Sequence, residues 1–154
     1  MTEHKKPMEK SAKPHVASHP AAGAAKSHRY VEAVGRRKTA TARVRISMGT
    51  TGATVNGKAV KDYFVLPKSQ RVVMAPMELL KLEGYGLTAK VNGGGIMAQA
   101  EAIRHGLSRA IVKVNAAFLK RLRVAGFLTR DSRMVERKKY GLKKASRSPQ
   151  WAKR

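Results

Sequence analysis

Hydrophobic residues recur with helical spacing in one long stretch of the second half of the chain. Ile96, Ala100, Ile103, Leu107, Ile111 and Val114 follow one another at intervals of three or four. This is the spacing of one face of an α-helix. The residues Glu101, Arg104, His105, Ser108, Arg109 and Lys113 fall off this stripe. The pattern predicts a helix of about 20 residues with one buried face.

The segments before this helix have the shorter period of β-strands. From Tyr30 to Ile46, β-branched residues alternate with small and polar ones, and Gly35-Arg36-Arg37-Lys38 interrupts them. This stretch predicts two strands or one sharply bent strand. A short strand over 51–55 ends in Asn56-Gly57, a strong turn signal. Another strand is predicted over 87–91, ahead of the glycine run 93–95.

Three shorter helices complete the predicted elements. Residues 60–66 fit one or two helical turns closed by Pro67, and 69–82 fit a helix with a break or bend at Pro76. A final helix is predicted over 116–124. Strands followed by helices predict an α+β fold, a two-layer sandwich of a small mixed sheet with helices.

The two ends of the chain differ from the segment between them. Residues 1–28 consist mostly of Ala, Lys, His, Pro and Ser, with Val16 as the one branched aliphatic residue. Such a composition cannot bury enough apolar surface to offset the entropy of ordering. We expect a disordered N-terminal arm over 1–28, a globular α+β domain over 29–125 and an extended basic tail over 126–154.

Charge is the strongest compositional signal. The 154 residues contain 33 Lys and Arg against 9 Asp and Glu, a net charge of +24. Residues 120–154 alone carry 13 basic and 2 acidic side chains. A chain of this kind needs a polyanionic partner, and arginine suits bidentate contacts with phosphate. A solubilising tail is the alternative interpretation.

Other classes of function find little support in the composition. The chain has no cysteine, and no apolar run is long enough to span a membrane. Four of its five histidines (His4, His15, His19, His28) lie in the predicted arm, without a carboxylate or cysteine that obviously completes a metal site. The carboxylates are scattered, and His105 is the single histidine of the predicted domain. We therefore expect no enzymatic activity, no metal and no cofactor.

Three local motifs are each open to two interpretations. Gly35-Arg36-Arg37-Lys38 is either a phosphate site at a strand break or a solvated basic turn. Gly93-Gly94-Gly95 before a helix resembles a phosphate loop, although the residues of a nucleotide hydrolase or a dinucleotide site do not follow it. His105, together with Arg104, either contacts RNA or pairs with Glu101 four residues earlier.

Three motifs in order carry a family resemblance from about Tyr30 to Arg154. They are Tyr30 to Ala40; Gly93-Gly94-Gly95 with Gln99-Ala100 and Ala102 to Gly106; and Gly126 to Asp131 with Val135 to Gly141. Together they resemble the family of the ninth protein of the small ribosomal subunit, in its bacterial or organellar form. The chain departs from the usual pattern at Ala98 and Glu101, where glycine is common, at its last residues and in its long N-terminal arm.

The resemblance implies a structural role in the ribosome, in the cytoplasm or in an organelle. It implies an α+β domain on the subunit head that contacts ribosomal RNA, with the seventh, tenth and fourteenth proteins of that subunit as neighbours. It also implies a C-terminal tail that reaches the anticodon stem-loop of transfer RNA in the peptidyl site. A free-standing nucleic-acid chaperone or DNA-compacting protein is the alternative that composition alone does not separate.

The predicted contact residues follow from the motifs and the charge together with what the family resemblance implies, and the transfer-RNA contacts rest on the resemblance. For ribosomal RNA they are Arg36, Arg37, Lys38, Arg104, His105, Arg130, Arg133, Arg137, Lys138, Lys139, Lys143, Lys144 and Arg147. For transfer RNA they are Lys153 and Arg154.

Overall fold

The computed structural model of the chain describes residues 30–152. The predicted arm and the predicted transfer-RNA contacts Lys153 and Arg154 lie outside these residues. The described part contains one five-stranded sheet, ordered β1-β2-β5-β3-β4. The strands are β1 (Val31–Arg37), β2 (Ala40–Met48), β3 (Ala53–Val55), β4 (Lys58–Ala59) and β5 (Tyr85–Asn92). The sheet is mixed, because β3 runs parallel to β5 whereas the other neighbours are antiparallel.

Four α-helices within the described residues accompany the sheet. They are α1 (Val60–Tyr63), α2 (Pro67–Leu80), α3 (Ile96–Val114) and α4 (Leu119–Val124), the last preceded by a 3-10 turn over Ala116–Phe118. Helix α3 packs across β1 and β2, and α2 packs beside α3. The helices and the sheet thus form the predicted α+β arrangement.

The core lies between α3 and the inward face of the sheet. Every second residue of β2 is buried there: Ala40, Ala42, Val44 and Ile46. On α3, the stripe residues Ile103, Leu107 and Ile111 are buried against them. The period-two and helical patterns in the sequence therefore meet in one layer of apolar contacts.

The break between the first two strands comes later than predicted. Gly35 and Arg36 lie inside β1, and the turn is at Lys38 and Thr39. The chain forms two antiparallel strands that pair Arg37 with Ala40, so the alternative of one bent strand is wrong.

Two helical predictions also need correction. Pro67 does not close α1 but occupies the first turn of α2, where its missing N–H costs nothing. Of the predicted break or bend at Pro76, the break is wrong, since α2 continues through this buried residue to Leu80, and the bend stays a prediction.

The predicted faces of α3 differ from the observed ones at two residues. Ile96, the first residue of the stripe, is exposed because the helix begins there. Ser108, placed on the polar side, is fully buried. Its hydroxyl donates a 2.8 Å hydrogen bond to the carbonyl oxygen of Arg104, and this bond allows the hydroxyl to be buried.

The C-terminal segment begins against the domain and then departs from it. Phe127 and Leu128 pack on the core, and Asp131 and Arg133 contact Arg37. From Met134 to Ala152 nearly every residue is exposed, and the segment contains neither helix nor strand. The predicted domain boundary at residue 126 stays a prediction. Residues within 127–133 contact the core and Arg37, so this part of the tail lies against the domain.

Candidate nucleic-acid interface

The close approach of α3 to β1 determines where the candidate site lies. A Cβ atom on Gly35 would overlap the carbonyl oxygen of Ala102 and the nitrogen of Gly106. A Cβ atom on Gly106 would lie 2.8 Å from Cγ2 of Val44 and 3.0 Å from the nitrogen of Gly35. Two glycines therefore let the helix backbone touch the strand backbone. Gly35 of the basic motif is therefore required for packing, and the cations next to it, Arg36 and Arg37, lie at the edge of this helix–strand contact.

The outer edge of β1 is covered by side chains from one row of α3. His105, Arg109 and Lys113 are spaced by four residues and lie above one another. The backbone N–H of Arg36 donates to Nδ1 of His105 at 3.4 Å. Arg109 donates to the carbonyl oxygen of Val34 at 2.5 Å, and Lys113 donates to that of Glu32 at 2.8 Å. This row satisfies an edge that would otherwise be free to pair with another strand.

His105 is accordingly fixed by the strand and not by Glu101. The predicted pairing with Glu101 is wrong, because the carboxylate of Glu101 binds Arg37 instead. Burial lowers the pKa of His105, and the nearby cations Arg109 and Arg130 lower it further. The lowered pKa favours the neutral imidazole, which is the form whose Nδ1 can accept the N–H of Arg36.

Arg37 holds the root of the tail against the domain. Its Nε lies 2.5 Å from Oε2 of Glu101, and its Nη2 lies 2.9 Å from Oδ2 of Asp131. Its Nη1 also donates to the carbonyl oxygen of Arg133 at 3.1 Å. With only 14% of its side chain exposed, Arg37 connects β1, α3 and the segment that follows α4. Its predicted RNA contact stays a prediction, because this guanidinium is already bound on three sides.

Asp131 shares its carboxylate between two arginines. Arg133 donates to it from its side chain and its backbone N–H, and with Arg37 these contacts hold the pKa of Asp131 far below its usual range. Asp131 therefore stays ionised at neutral pH and remains paired with both arginines. Sequence reasoning did not single out Glu101 or Asp131 as partners of Arg37, because both are distant from it along the chain. The only signal for Asp131 was an acidic residue within a basic run.

A polar cleft of about 90 Å³ opens beside this ion-pair cluster. Its walls include the cationic side chains of Arg36, Arg104 and Arg130, together with His105. The guanidinium of Arg104 lies over the ring of Phe127, 5.3 Å from its centroid. Within residues 30–152, the buried Nε of Arg104 has no hydrogen-bond partner. The structure therefore brings five of the predicted contact residues, Arg37 among them, together around a space where a phosphate oxygen would meet several donors. The carboxylates of Glu101 and Asp131 line the same cleft and are paired with Arg37.

Lys38 of the basic motif and the glycine run 93–95 lie at one end of the sheet. Lys38 is exposed on the β1–β2 turn. Gly93 and Gly94 adopt positive φ angles beside that turn, and a Cβ on Gly93 would lie 2.7 Å from the carbonyl oxygen of Thr39. Packing and backbone conformation thus account for these two glycines without a bound phosphate.

The remaining predicted contacts lie along the tail. Every lysine and arginine from Arg130 to Arg147 is exposed, which includes Arg133, Arg137, Lys138, Lys139, Lys143 and Lys144. Bulky side chains are exposed with them: Val135 by 90%, Tyr140 by 98% and Trp151 by 81%. From Met134 onward nearly all side chains of the tail, the cations included, are exposed to solvent.

Two other kinds of site are absent from the described part of the chain. Over residues 30–152, no helix combines the length and apolarity required to cross a membrane. In the same range, no three histidine or acidic side chains are grouped so that they could hold a metal ion.

Comparison with known proteins identifies the family. The family described as ribosomal protein S9/S16 matches residues 35–154. The chain belongs to this family. The small ribosomal subunit protein uS9 of Desulfovibrio desulfuricans is 47% identical over 129 residues, which cover 83% of this chain and 99% of the relative. The family match over 35–154 includes both the cleft and the tail.

Family membership settles the general role. The chain is a structural component of the small ribosomal subunit and acts in translation. The family is not known for enzymatic activity.

Proposed function

We propose that the chain binds ribosomal RNA in the subunit head with its cleft and tail, and that the tip of the tail contacts transfer RNA in the peptidyl site. One observation carries the proposal: the tail exposes all of its cations from Arg130 to Arg147 together with Tyr140 and Trp151. Exposed cations and aromatic rings add little to the stability of the free chain. RNA offers phosphates for the cations and bases for the rings to stack on.

The cleft binds one phosphate group of the ribosomal RNA. Arg36, Arg104 and Arg130 surround it, and the partnerless Nε–H of Arg104 acquires an acceptor when a phosphate oxygen enters. His105 forms a wall of the cleft and keeps its Nδ1 as the acceptor of the Arg36 N–H when the anion enters. Arg37 keeps its carboxylate partners and holds the cleft open by anchoring Asp131.

The tail passes from this cleft along the RNA. Met134 to Arg154 is 21 residues, which span roughly 70 to 75 Å when fully extended at about 3.3 to 3.6 Å per residue. A stem with Arg137, Lys138 and Lys139 neutralises phosphates. Pro149 restrains the approach of the tip, and Lys153 and Arg154 contact the anticodon stem-loop of transfer RNA.

The seventh, tenth and fourteenth proteins of the subunit are the proposed neighbours, and the proposed site of action is a ribosome in the cytoplasm or in an organelle. A free-standing DNA-compacting protein is the competing function, and the match of residues 35–154 to a ribosomal family argues against it. On a sucrose gradient, the chain is expected to sediment with small subunits; recovery mostly with DNA would favour the competitor.

Removal of Lys153 and Arg154 tests the transfer-RNA contact. Deleting charged hydrogen bonds worth about 1 to 3 kcal/mol weakens transfer RNA in the peptidyl site by roughly 5-fold to 150-fold. Filter binding to purified subunits measures this affinity. A matched control replaces the exposed Lys58 and Lys61, which removes the same number of basic side chains far from the tail. Equal transfer-RNA affinity in the truncated, control and intact subunits would rule out the contact.

A further inference from the structure

The face of the sheet that points away from the helices is open and basic. Alternate residues of three neighbouring strands lie on it, in rows set by the strand register. One row is Arg36, Thr41 and Asn92; the next is Val34, Arg43 and Lys90; the third is Glu32, Arg45 and Thr88. No helix of the described chain covers these rows, since α2 and α3 both pack on the other side.

The middle row contains an arrangement that folding alone does not favour. Arg43 and Lys90 are direct cross-strand partners, and both are exposed. Like charges placed directly opposite each other destabilise a sheet. Glu32 offsets part of this repulsion, because its carboxylate lies 3.8 Å from Nε of Arg43, but it lies closer to Arg45, at 2.7 Å, and Lys90 lies beyond Arg43 in the row. A pair of repelling cations at the centre of an open face is stabilised when an anion lies over it.

In the third row, Arg45 is a cation whose partners are supplied by the protein itself. Arg45 donates to Glu32 and also lies over the ring of Tyr30, 4.5 Å from its centroid. Its hydrogen bond lowers the pKa of Glu32, so this carboxylate stays ionised and engaged. Arg45 is therefore fixed by the protein itself, whereas Arg43 has only its longer contact with Glu32, and both Arg43 and Lys90 are exposed to a ligand.

We propose that this open face is a second RNA-binding surface, at which Arg43 and Lys90 contact backbone phosphates. The proposal rests on the proposed function in taking RNA as the polyanion. Arg36 lies where the face meets the cleft, so one RNA segment can follow the edge of β1 from the cleft onto the face. The surrounding Thr41, Thr88 and Asn92 are small polar groups that suit phosphate and ribose, so the face recognises the backbone of helical RNA rather than stacked bases.

The test compares two double variants of equal charge. Arg43→Gln with Lys90→Gln removes the proposed contacts. Lys58→Gln with Lys61→Gln removes two exposed lysines on β4 and α1, away from this face. Each chain is bound to small-subunit ribosomal RNA across a range of salt concentrations, and urea unfolding of the free chains checks the fold. The Arg43 and Lys90 variant is expected to fold at least as stably as the parent, because the like-charge pair is gone.

The expected result is a change in the salt dependence of binding. The slope of log affinity against log salt becomes shallower by about 0.7 to 0.9 for each phosphate that the Arg43 and Lys90 variant no longer neutralises, and it stays unchanged in the control. An equal change in both variants, or none in either, overturns the proposal. A third variant with Arg137, Lys138 and Lys139 replaced by Gln separates the two claims. If it alone binds RNA more weakly, the open face is excluded and the proposed function stands; if all variants bind as the parent does, both fail.

Discussion

Substitution of Gly35 by alanine tests the packing that positions the interface. The new Cβ would overlap the backbone of α3 at Ala102 and Gly106 and would lie 2.9 Å from Cα of Gly106. Those atoms belong to a helix held by a fully buried row that includes Ile103 and Leu107, so they cannot rotate out of the way. Relief requires α3 to move off the sheet, which separates His105 from the edge of β1.

The size of the effect follows from what the added methyl group meets. Overpacking in a well-packed core costs about 1 to 3 kcal/mol, and backbone atoms place Gly35→Ala near the upper end. A domain of about 100 residues loses roughly 4 to 8 °C in Tm for each kcal/mol. We therefore expect Tm to fall by about 10 to 25 °C. Gly106→Ala should cost less, since its closest contact is a side-chain atom of Val44, the backbone nitrogen of Gly35 is farther away at 3.0 Å, and alanine gains about 1 kcal/mol of helix propensity.

Thermal unfolding followed by circular dichroism measures these changes. Gly95→Ala is the matched control, because no heavy atom lies within 4 Å of its Cβ position and only a modest capping effect, under about 1 kcal/mol, is expected. The salt slope of RNA binding, measured where each variant is folded, should stay at the parent value in Gly95→Ala. In Gly35→Ala, RNA affinity should fall together with Tm, because α3 carries Arg104 and His105 of the cleft away from β1. A Gly35→Ala chain as stable as the parent, with weakened RNA binding, would return Gly35 to a phosphate site and refute the packing argument.

Two further predictions concern the groups around the cleft. The pKa of His105 is lowered in the folded chain, so the unfolded chain binds more protons as pH falls through about 6.5, and the free energy of unfolding should decline there. Urea unfolding between about pH 7 and 5 should show this decline in the parent and a flatter profile in His105→Gln. Identical pH profiles in the two chains would contradict the prediction. Asp131→Asn removes the ionised partner of Arg37 and Arg133, so trypsin should cleave the tail root faster while Tm changes little. Unchanged cleavage would show that this ion pair does not hold the root.

The sequence predicted the elements that depend on repeated local pattern. The stripe from Ile96 to Val114 spans about five turns, and its first and last residues coincide with the ends of α3. The family motifs led to the correct family. Gly35 was misplaced because its role comes from the backbone of α3, which contacts it from across the core. No local pattern in 35–38 carries that information.

The site was predicted less completely than the fold, because the sequence shows each charged residue but not which other charged residue it pairs with in the fold. Arg37 was counted as a free cation, although Glu101 and Asp131 occupy its guanidinium from distant positions. Ser108 was assigned to the polar side because its own bond to a helix carbonyl is invisible in a hydrophobic pattern. Arg43 and Lys90 were not singled out, although each alternates with buried residues in its strand, because their pairing across β2 and β5 requires the register.

Photocrosslinking from two tail positions tests the central claim most directly. A benzoylphenylalanine group replaces Tyr140 or Trp151, both highly exposed, in chains assembled into small subunits that carry transfer RNA in the peptidyl site. A third chain carries the probe at Val65, an exposed residue between α1 and α2, as the control. The account predicts crosslinks from position 140 to ribosomal RNA and from position 151 to transfer RNA, with neither reproduced at position 65. Crosslinks from positions 140 and 151 to protein alone, or to RNA no more often than from position 65, would contradict it.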